Sequence, residues 1–363
     1  MKLLLVGDIS PTVDTAEKFA NGDVEALFND VAPLFKMCDT NVVNLECVLT
    51  ESETPIQKIG APLKAPLGTA ATLKKMGVAY CNLSNNHFFD YGREGVKDSF
   101  AALEQAGLQY TGFGDNEEDS RKDLIISIGK ETIGVIGVCE HEYTYALEDR
   151  MGCRPFDVFQ TPLDVRALKE KCDRVVVLYH GGKEHCQYPS PRLRKVCRAL
   201  ALSGADLVLC QHTHCIGAYE KLGESHIIYG QGNFHFVKSI RWDSVIWNEG
   251  LAVIYDTEAN ALELIPVVRK DEVGIRLADA QEKEQILSSM EERNASLHDG
   301  TWRQGWHDYC MTVAGYYTRS VAEACVPELG ERVVERFAHY LDCEAHTDVW
   351  RELFPTHNMT NEK

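Results

Sequence analysis

An α/β fold is the expectation for this 363-residue chain, and three observations carry it. Short apolar, β-branched runs alternate with segments of amphipathic helical spacing. Many of the polar side chains able to do chemistry fall at or just after the ends of those runs. The strand signal fades near residue 280, and helical spacing takes over from there.

The apolar runs predict strands at 2–6, 41–45, 79–83, 124–128, 133–138, 174–179, 206–210, 227–229, 251–255 and 262–268. Helices are predicted at 68–76, 95–106 and 191–203. In the last of these, Leu193, Val196, Cys197 and Leu200 follow at steps of 3, 1 and 3 and make one face, with Arg192, Arg194 and Lys195 on others. Beyond Asp279, Val333, Phe337 and Tyr340 recur at 4 and 3, the spacing of a buried helix stripe. No Gly/Ser/Pro linker precedes this region, so it is expected to be a helical extension, 281–363, packed on a main domain, 1–280.

Composition excludes several classes. Hydrophobic residues are 44% and charged residues 25%, which is globular. A net charge of −18 argues against a nucleic-acid or anionic-membrane surface. It leaves room for an anionic substrate, a small molecule or a short polymer, if metal ions supply local positive charge. The start, Met1 to Asp8, is too short an apolar stretch for a signal peptide, and no window approaches a membrane span. The 13 cysteines show no framework spacing and read as reduced, buried small hydrophobes, so a cytoplasmic location is expected.

The strand ends hold the chemistry. Asp8 follows the first run; Asn44 and Glu46 close the second; Asn85, Asn86 and His87 follow the third. His180 ends a later run, with Glu184 four residues on; His212 and His214 follow 207–210, and Asn233 follows 227–232. Carboxylates, amides and imidazoles together suit manganese, iron or zinc. Each fragment also has a plain structural reading. Asp8 can cap a helix or a turn, Glu46 can be a solvated strand end, and Asn85-Asn86 can be a turn. His180-Gly181-Gly182 can be a loop histidine, and His212 and His214 can be satisfied by backbone groups. Their alignment at successive strand ends favours a common site, because independent structural causes would not align them. Cys210 and Cys215 beside the histidines lack the spacing of a closed structural zinc site, and there is neither a phosphate-cradling loop nor a nucleophile elbow.

In this order the residues resemble the CapA family, capsule synthesis proteins linked to poly-gamma-glutamate and similar to calcineurin-like metallophosphatases. The resemblance runs from about 2 to 268 and rests on Val6-Gly7-Asp8, Asn44-Leu45-Glu46, Leu83-Ser84-Asn85-Asn86-His87 with Asp90-Tyr91-Gly92, His180-Gly181-Gly182-Lys183-Glu184, Gly204-Ala205-Asp206 with His212-Thr213-His214, and Gly230-Gln231-Gly232-Asn233-Phe234. It implies a four-layer α/β/β/α metallophosphatase-like sandwich, with the C-terminal helical extension outside it. It also implies one or two divalent ions: Asp8 and His214 on the first, Asn86, His180 and His212 on the second, and Glu46 where the superfamily has a bridging aspartate. His87 would face the substrate as general acid or charge stabiliser, with Asp90 either orienting it or serving as a turn residue. Glu184 joins the catalytic group, and Asn44, Lys58 and Asn233 fall on the substrate side. Two departures weaken the first ion site: Ser10 stands where the superfamily has a histidine, and Glu46 is one methylene longer than aspartate. A third departure is from the capsule branch, whose familiar members carry an N-terminal membrane anchor that this sequence is not expected to have.

The resemblance therefore implies a metal-dependent hydrolase acting on a phosphoester through a metal-bound hydroxide, connected with capsule or polyglutamate metabolism. Two alternatives stand beside it. One is an amide or peptide-bond hydrolase, or a ligase accessory, acting on gamma-glutamyl compounds. The other is a non-catalytic, metal-containing subunit of a capsule-synthesis assembly.

Overall fold

Each of the ten predicted runs becomes a strand, because alternating apolar side chains can be buried on two faces at once. The computed structural model describes residues 1–140, 142–238 and 244–355. The first sheet has the order Ile275–Leu277, Ala261–Arg269, Glu249–Asp256, Lys2–Ile9, Thr40–Leu45, Tyr80–Asn82, Gln109–Thr111, and Asn233–His235 pairs with the end of Lys2–Ile9. The second has the order Tyr219–Leu222, Ser225–Ile228, Leu207–Gln211, Arg174–His180, Glu131–Cys139, Leu124–Ile128. The strands that carry the predicted site residues run parallel within each sheet, and antiparallel hairpins close the edges.

The period of two sorts the core into layers. Leu3 and Leu5 face the second sheet and meet Val176, Leu178, Leu207 and Leu209. Leu4 and Val6 face the other way, against Phe19, Phe28, Leu73 and Val96 on helices. From the second sheet, Val175 and Val177 pack outward on Val165, Leu168, Leu193 and Leu200 of two further helices. The result is the α/β/β/α sandwich that the resemblance implies. Full burial of each such side chain stabilises by about 1.5–3 kcal/mol, so the alternation is the main reason the layers hold.

What the sequence missed is short. Gln109–Thr111, Asn233–His235 and Ile275–Leu277 have three residues each and Tyr219–Leu222 four. The helices Ala16–Ala20 and Val24–Phe28 have five. None is long enough to display a period. The ten-residue helix Gln160–Lys169 was also missed; its apolar positions are sparse.

After residue 279 the chain is helical. Asp279 and Glu282 form a capping box on Ala280–Asp299, and Gly300, at φ 88°, ends that helix in the left-handed region. Trp302–Ala324, Glu331–Asp342 and Glu344–Leu353 follow. The stripe of Val333, Phe337 and Tyr340 is half-buried, not buried as its spacing suggests. It packs on its two helical neighbours, with Tyr340 stacked 4.9 Å from Tyr317 and Phe337 edge-on to Trp350 at 6.4 Å. Among the described residues no helix is long and apolar enough to cross a membrane. Among the described residues no disulfide joins the cysteines, and all but Cys38 and Cys325 are buried.

Glycines in two of the motifs let three strands converge. A Cβ on Gly7 would stand 2.3 Å from the Gly232 carbonyl oxygen, and one on Gly250 would stand 1.8 Å from that of Asn233. This approach places Asn233 beside Asp8 in register. Gly7→Ala is therefore expected to force the strands apart and destabilise the fold by about 1–3 kcal/mol, measured by denaturant unfolding. An unchanged midpoint would show that the approach is not tight.

Candidate metal centre

Parallel strands that end at one edge of a sheet line up their terminal residues. Pairing sets Asn233 beside Asp8, Asp8 beside Asn44, and Asn44 beside Asn82. In the second sheet His180 lies between Cys139 and Gln211. The loops just past these ends add Glu46, Asn86, His212 and His214. Gln211 and Gln231 tie the two sheets together here. Gln211 Nε2 donates to the Gln231 side-chain oxygen at 3.1 Å, and Gln231 Nε2 donates to the Leu5 carbonyl at 2.9 Å.

The histidine loop is held in an unfavourable backbone state. His212 and His214 have φ of 85° and 53°, and His185 has 63°. Non-glycine residues at such angles cost about 1–3 kcal/mol each and cluster at functional sites. Here the cost is offset by contacts. The His212 N–H donates to Asp8 Oδ2 at 3.1 Å, and the His185 N–H donates to the Thr213 carbonyl at 2.8 Å.

Asp8 is fully buried and does not cap a helix. Its Oδ1 accepts from Asn44 Nδ2 at 2.7 Å, and its Oδ2 lies 3.5 Å from His214 Nδ1. Burial pushes its carboxyl upward, but His214, His180 and Asn44 outweigh that and hold it below the usual carboxylate range. Glu46 is also fully buried, so it is no solvated strand end. Neither of its oxygens has a hydrogen-bond partner among the described residues. Burial, then the Asp8 charge, pushes Glu46 well above the ordinary carboxylate range. His214 moves the opposite way. Burial lowers it, yet Glu46 and Asp8 raise it to about 9. Burial holds His180 down to about 4.

Three sets of potential ligand atoms result, each within 4.8 Å: Glu184, His212 and His214 at the rim, and two buried sets, Glu46, His180 and His212 in the first and Asp8, Glu46 and His214 in the second. Glu46 belongs to both buried sets, with Oε1 3.4 Å from His180 Nε2 and 4.0 Å from His214 Nε2. Asn86 Oδ1 lies 2.8 Å from His180 Nε2, on the side of the first set. The two buried sets divide His212 from His214, whereas the rim set with Glu184 holds both. A buried carboxylate lacking hydrogen bonds is costly unless a cation meets it. The residues fit a divalent ion of the manganese, iron or zinc kind on that ground and on their mixed oxygen and nitrogen donors.

The remaining predicted residues surround this cluster. His87 Nδ1 is 2.6 Å from Asp90 Oδ2, so Asp90 does orient the ring. Lys58 Nζ donates to Asp90 Oδ1 at 2.6 Å and to the Asn86 carbonyl at 2.9 Å. Burial, then Lys58, lowers His87 to about 4. Asn233 Oδ1 lies 2.9 Å from His214 Nδ1. Asn44 bridges Asp8 and His180, the latter at 3.2 Å, and so sits behind the cluster, not on its open side. Glu184 is at the rim, 43% exposed, with Oε1 3.8 Å from His212 Nε2. A cavity of about 390 Å³ fronts the cluster, and Lys58, Asn86, His87, Glu184, His212 and His214 all reach it.

Sequence reading named Asn85 at a strand end without giving it a role, and it missed Asn82, Glu140, Lys238 and Trp247. Asn82 and Asn85 donate to Asn44 Oδ1 at 3.1 and 3.4 Å. Glu140 accepts from the Gly182 N–H at 2.6 Å and from Arg192 at 2.9 Å, which fixes the loop after His180. Glu140 follows a predicted strand as the other site residues do, and that position was its signal. Lys238 and Trp247 also line the cavity, with the ammonium 3.8 Å from the indole centroid; no spacing announces them.

Residues 2–238 match the family model of bacterial capsule synthesis protein PGA_cap. The chain belongs to this family. Among PGA_cap relatives, capsule biosynthesis protein CapA of Bacillus anthracis is 28% identical over 246 residues, 65% of this chain and 60% of the relative. PGA biosynthesis protein CapA of Bacillus subtilis is 27% identical over 236 residues, 64% and 62%. The chain thus spans less than two thirds of the length of these relatives. Among solved structures, the 5'-nucleotidase of Candida albicans aligns over 80% of this chain and 58% of its own, at 10% identity and a TM-score of 0.41.

Glu46 supplies a test that needs no substrate. Its carboxyl is raised in the fold, so it favours the folded state below the ordinary value of 4.5 and loses that contribution as pH rises through the raised value. At neutral pH and without metal, Glu46→Gln is expected to stabilise the protein by roughly 1–3 kcal/mol. Added Mn²⁺ should raise the melting temperature of the unsubstituted protein and leave the variant nearly unmoved. Equal shifts in both would remove Glu46 from the ion site.

Proposed function

We infer that this PGA_cap-family chain is a metal-dependent hydrolase, with a phosphoester as its substrate class. One observation carries the reading: the buried Glu46 carboxylate, lacking hydrogen bonds, is common to two ligand sets that face a cavity bearing Lys58, Lys183 and Lys238. Lys58 is paired with Asp90 and Glu184 shares the cavity with Lys183 and Lys238, so in this reading it is bound divalent ions that would give the site the positive charge an anion needs. Bound divalent ions supply charge neutralisation and a water of lowered pKa.

The chain's own residues do the rest. Asp8, Glu46, Asn86, His180, His212 and His214 are the ligands in this reading. Asn44 and Asn233 hold Asp8, His180 and His214 in place through the contacts above. His87 keeps its Nδ1 proton on Asp90, which leaves Nε2 for the substrate. The imidazole is neutral when the cavity is vacant of anion; an anionic phosphoryl group beside it favours its protonated form, and that proton then goes from Nε2 to the leaving oxygen. Lys58 balances the Asp90 charge, so the carboxylate orients the ring without holding the proton permanently.

The relatives' names connect the family with capsule and polyglutamate synthesis, which motivates a second arm in any assay. With Mn²⁺ added, p-nitrophenyl phosphate and bis(p-nitrophenyl) phosphate test the phosphoester reading, and gamma-glutamyl p-nitroanilide tests an amide-directed one. Phosphoester turnover that vanishes in Asp8→Ala is the expected result. Turnover of the anilide alone would replace the phosphoester reading. His87→Ala should lower kcat by about 10²–10⁴ while the metal content per chain stays unchanged. Joint loss of metal and activity would make His87 a structural residue of the ion site.

A further inference from the structure

The roof of the cavity comes from a part of the chain that the family model does not cover. The match ends at residue 238, yet His339, Tyr340, Ala345 and His346 line the same cavity as His87, His212 and His214. These four belong to the helices Glu331–Asp342 and Glu344–Leu353.

The two helices are fixed to the site by polar contacts. Arg332 Nη1 donates to the Lys58 carbonyl at 3.3 Å. Asp348, buried, accepts from Ser190 Oγ at 2.5 Å and from Arg192 Nε at 3.0 Å. Arg192 in turn reaches Glu140, which holds Gly182. The preceding helix, Trp302–Ala324, adds a contact from the Tyr309 hydroxyl to the Glu184 carbonyl at 2.7 Å. The roof therefore has a defined position over the loops that carry the cluster.

The roof is made of flat rings. His339 lies 5.3 Å from Tyr143 across the cavity wall and 4.8 Å from His346, and Tyr340 lies 4.5 Å from His346. The Tyr317 hydroxyl sits 2.6 Å from His346 Nδ1 and fixes that ring. On the other side Trp247 packs 4.6 Å from His214. Half-buried rings beside an open space offer stacking area at low conformational cost. A cavity near 390 Å³ has the size of a small-molecule site, so it takes a compact ligand or one end of a longer one.

We propose that the C-terminal helices form a specificity subsite, in which Tyr143, His339, Tyr340 and His346 receive a planar ring on the non-reacting end of an anionic substrate. The reacting end stays at the cluster, and for that end the inference rests on the phosphoester reading. The chain thereby takes ring-bearing phosphoesters in preference to simple alkyl ones.

Two phosphonates that cannot be hydrolysed separate the parts. Benzylphosphonate carries a ring and methylphosphonate does not, and calorimetry on the Mn²⁺-loaded full chain gives both affinities. The expected result is benzylphosphonate binding about tenfold tighter. His339→Leu should bring it close to methylphosphonate, which serves as the internal reference. Tyr143→Leu, which removes the ring that packs against His339 from outside the C-terminal helices, should do the same and covers the case in which the helix variant fails to fold. Equal affinity of the two ligands for the unsubstituted protein, or a ring preference that survives both substitutions, overturns the subsite. Failure of methylphosphonate to bind, with no phosphoester turnover, overturns the phosphoester reading and leaves any benzylphosphonate selectivity to be judged by the same two variants.

Discussion

Two carboxylates buried side by side are the constraint on which this site depends. Asp8 and Glu46 end neighbouring strands, are both inaccessible to solvent, and differ sharply in how they are satisfied. Asp8 has an amide, a backbone N–H and an imidazole; Glu46 has imidazoles at ion-pair distance but no hydrogen bond. Like charges in a low-dielectric space repel strongly, so the pair persists only where positive charge is close. His214 answers part of this demand by holding its proton up to about 9. With both carboxyls ionised, one imidazolium leaves one negative charge unbalanced, a charge that a bound cation could meet.

The fold's contribution is to bring those groups together at little entropic cost. Rigid parallel strands deliver Asp8, Asn44 and His180 at one edge, where loop geometry alone would place them less well. At the site the strain falls on His212, His214 and His185, and contacts to Asp8 and Thr213 hold these loops in place. The glycines at 7, 232 and 250 serve the same end: a Cβ on Gly7 would strike the Gly232 carbonyl, and one on Gly232 or Gly250 would part residues 232–233 from the strand Glu249–Asp256. Motif glycines and motif ligands are thus one construction.

Much of this was legible in the sequence for a simple reason. A β-branched run that alternates apolar residues reads as a strand, and polar residues at the ends of parallel strands meet without further information. Asp8, Glu46, His180, His212 and His214 could be grouped on that basis. Asn44 was placed on the substrate side, but its amide lies between Asp8 and His180. Sequence position gives the strand end and not the rotamer. Strands such as Asn233–His235 were invisible because three residues show no period. The half-buried state of Tyr340 was also missed, since helical spacing reports one apolar face and not what covers it.

The roof explains why that last failure matters. A helix stripe that packed fully against the domain would bury Tyr340 and withdraw His339 from the cavity. Instead Glu331–Asp342 leans on Tyr317 and Trp350, and it also reaches Tyr143 through His339 and the Lys58 loop through Arg332. Its incomplete burial is therefore what leaves ring surface beside the cluster. The family-matched region holds the proposed ligands, and the region outside it shapes what can approach them. Substrate selection can then change through residues 331–353 while Asp8, Glu46 and the histidines keep the same geometry.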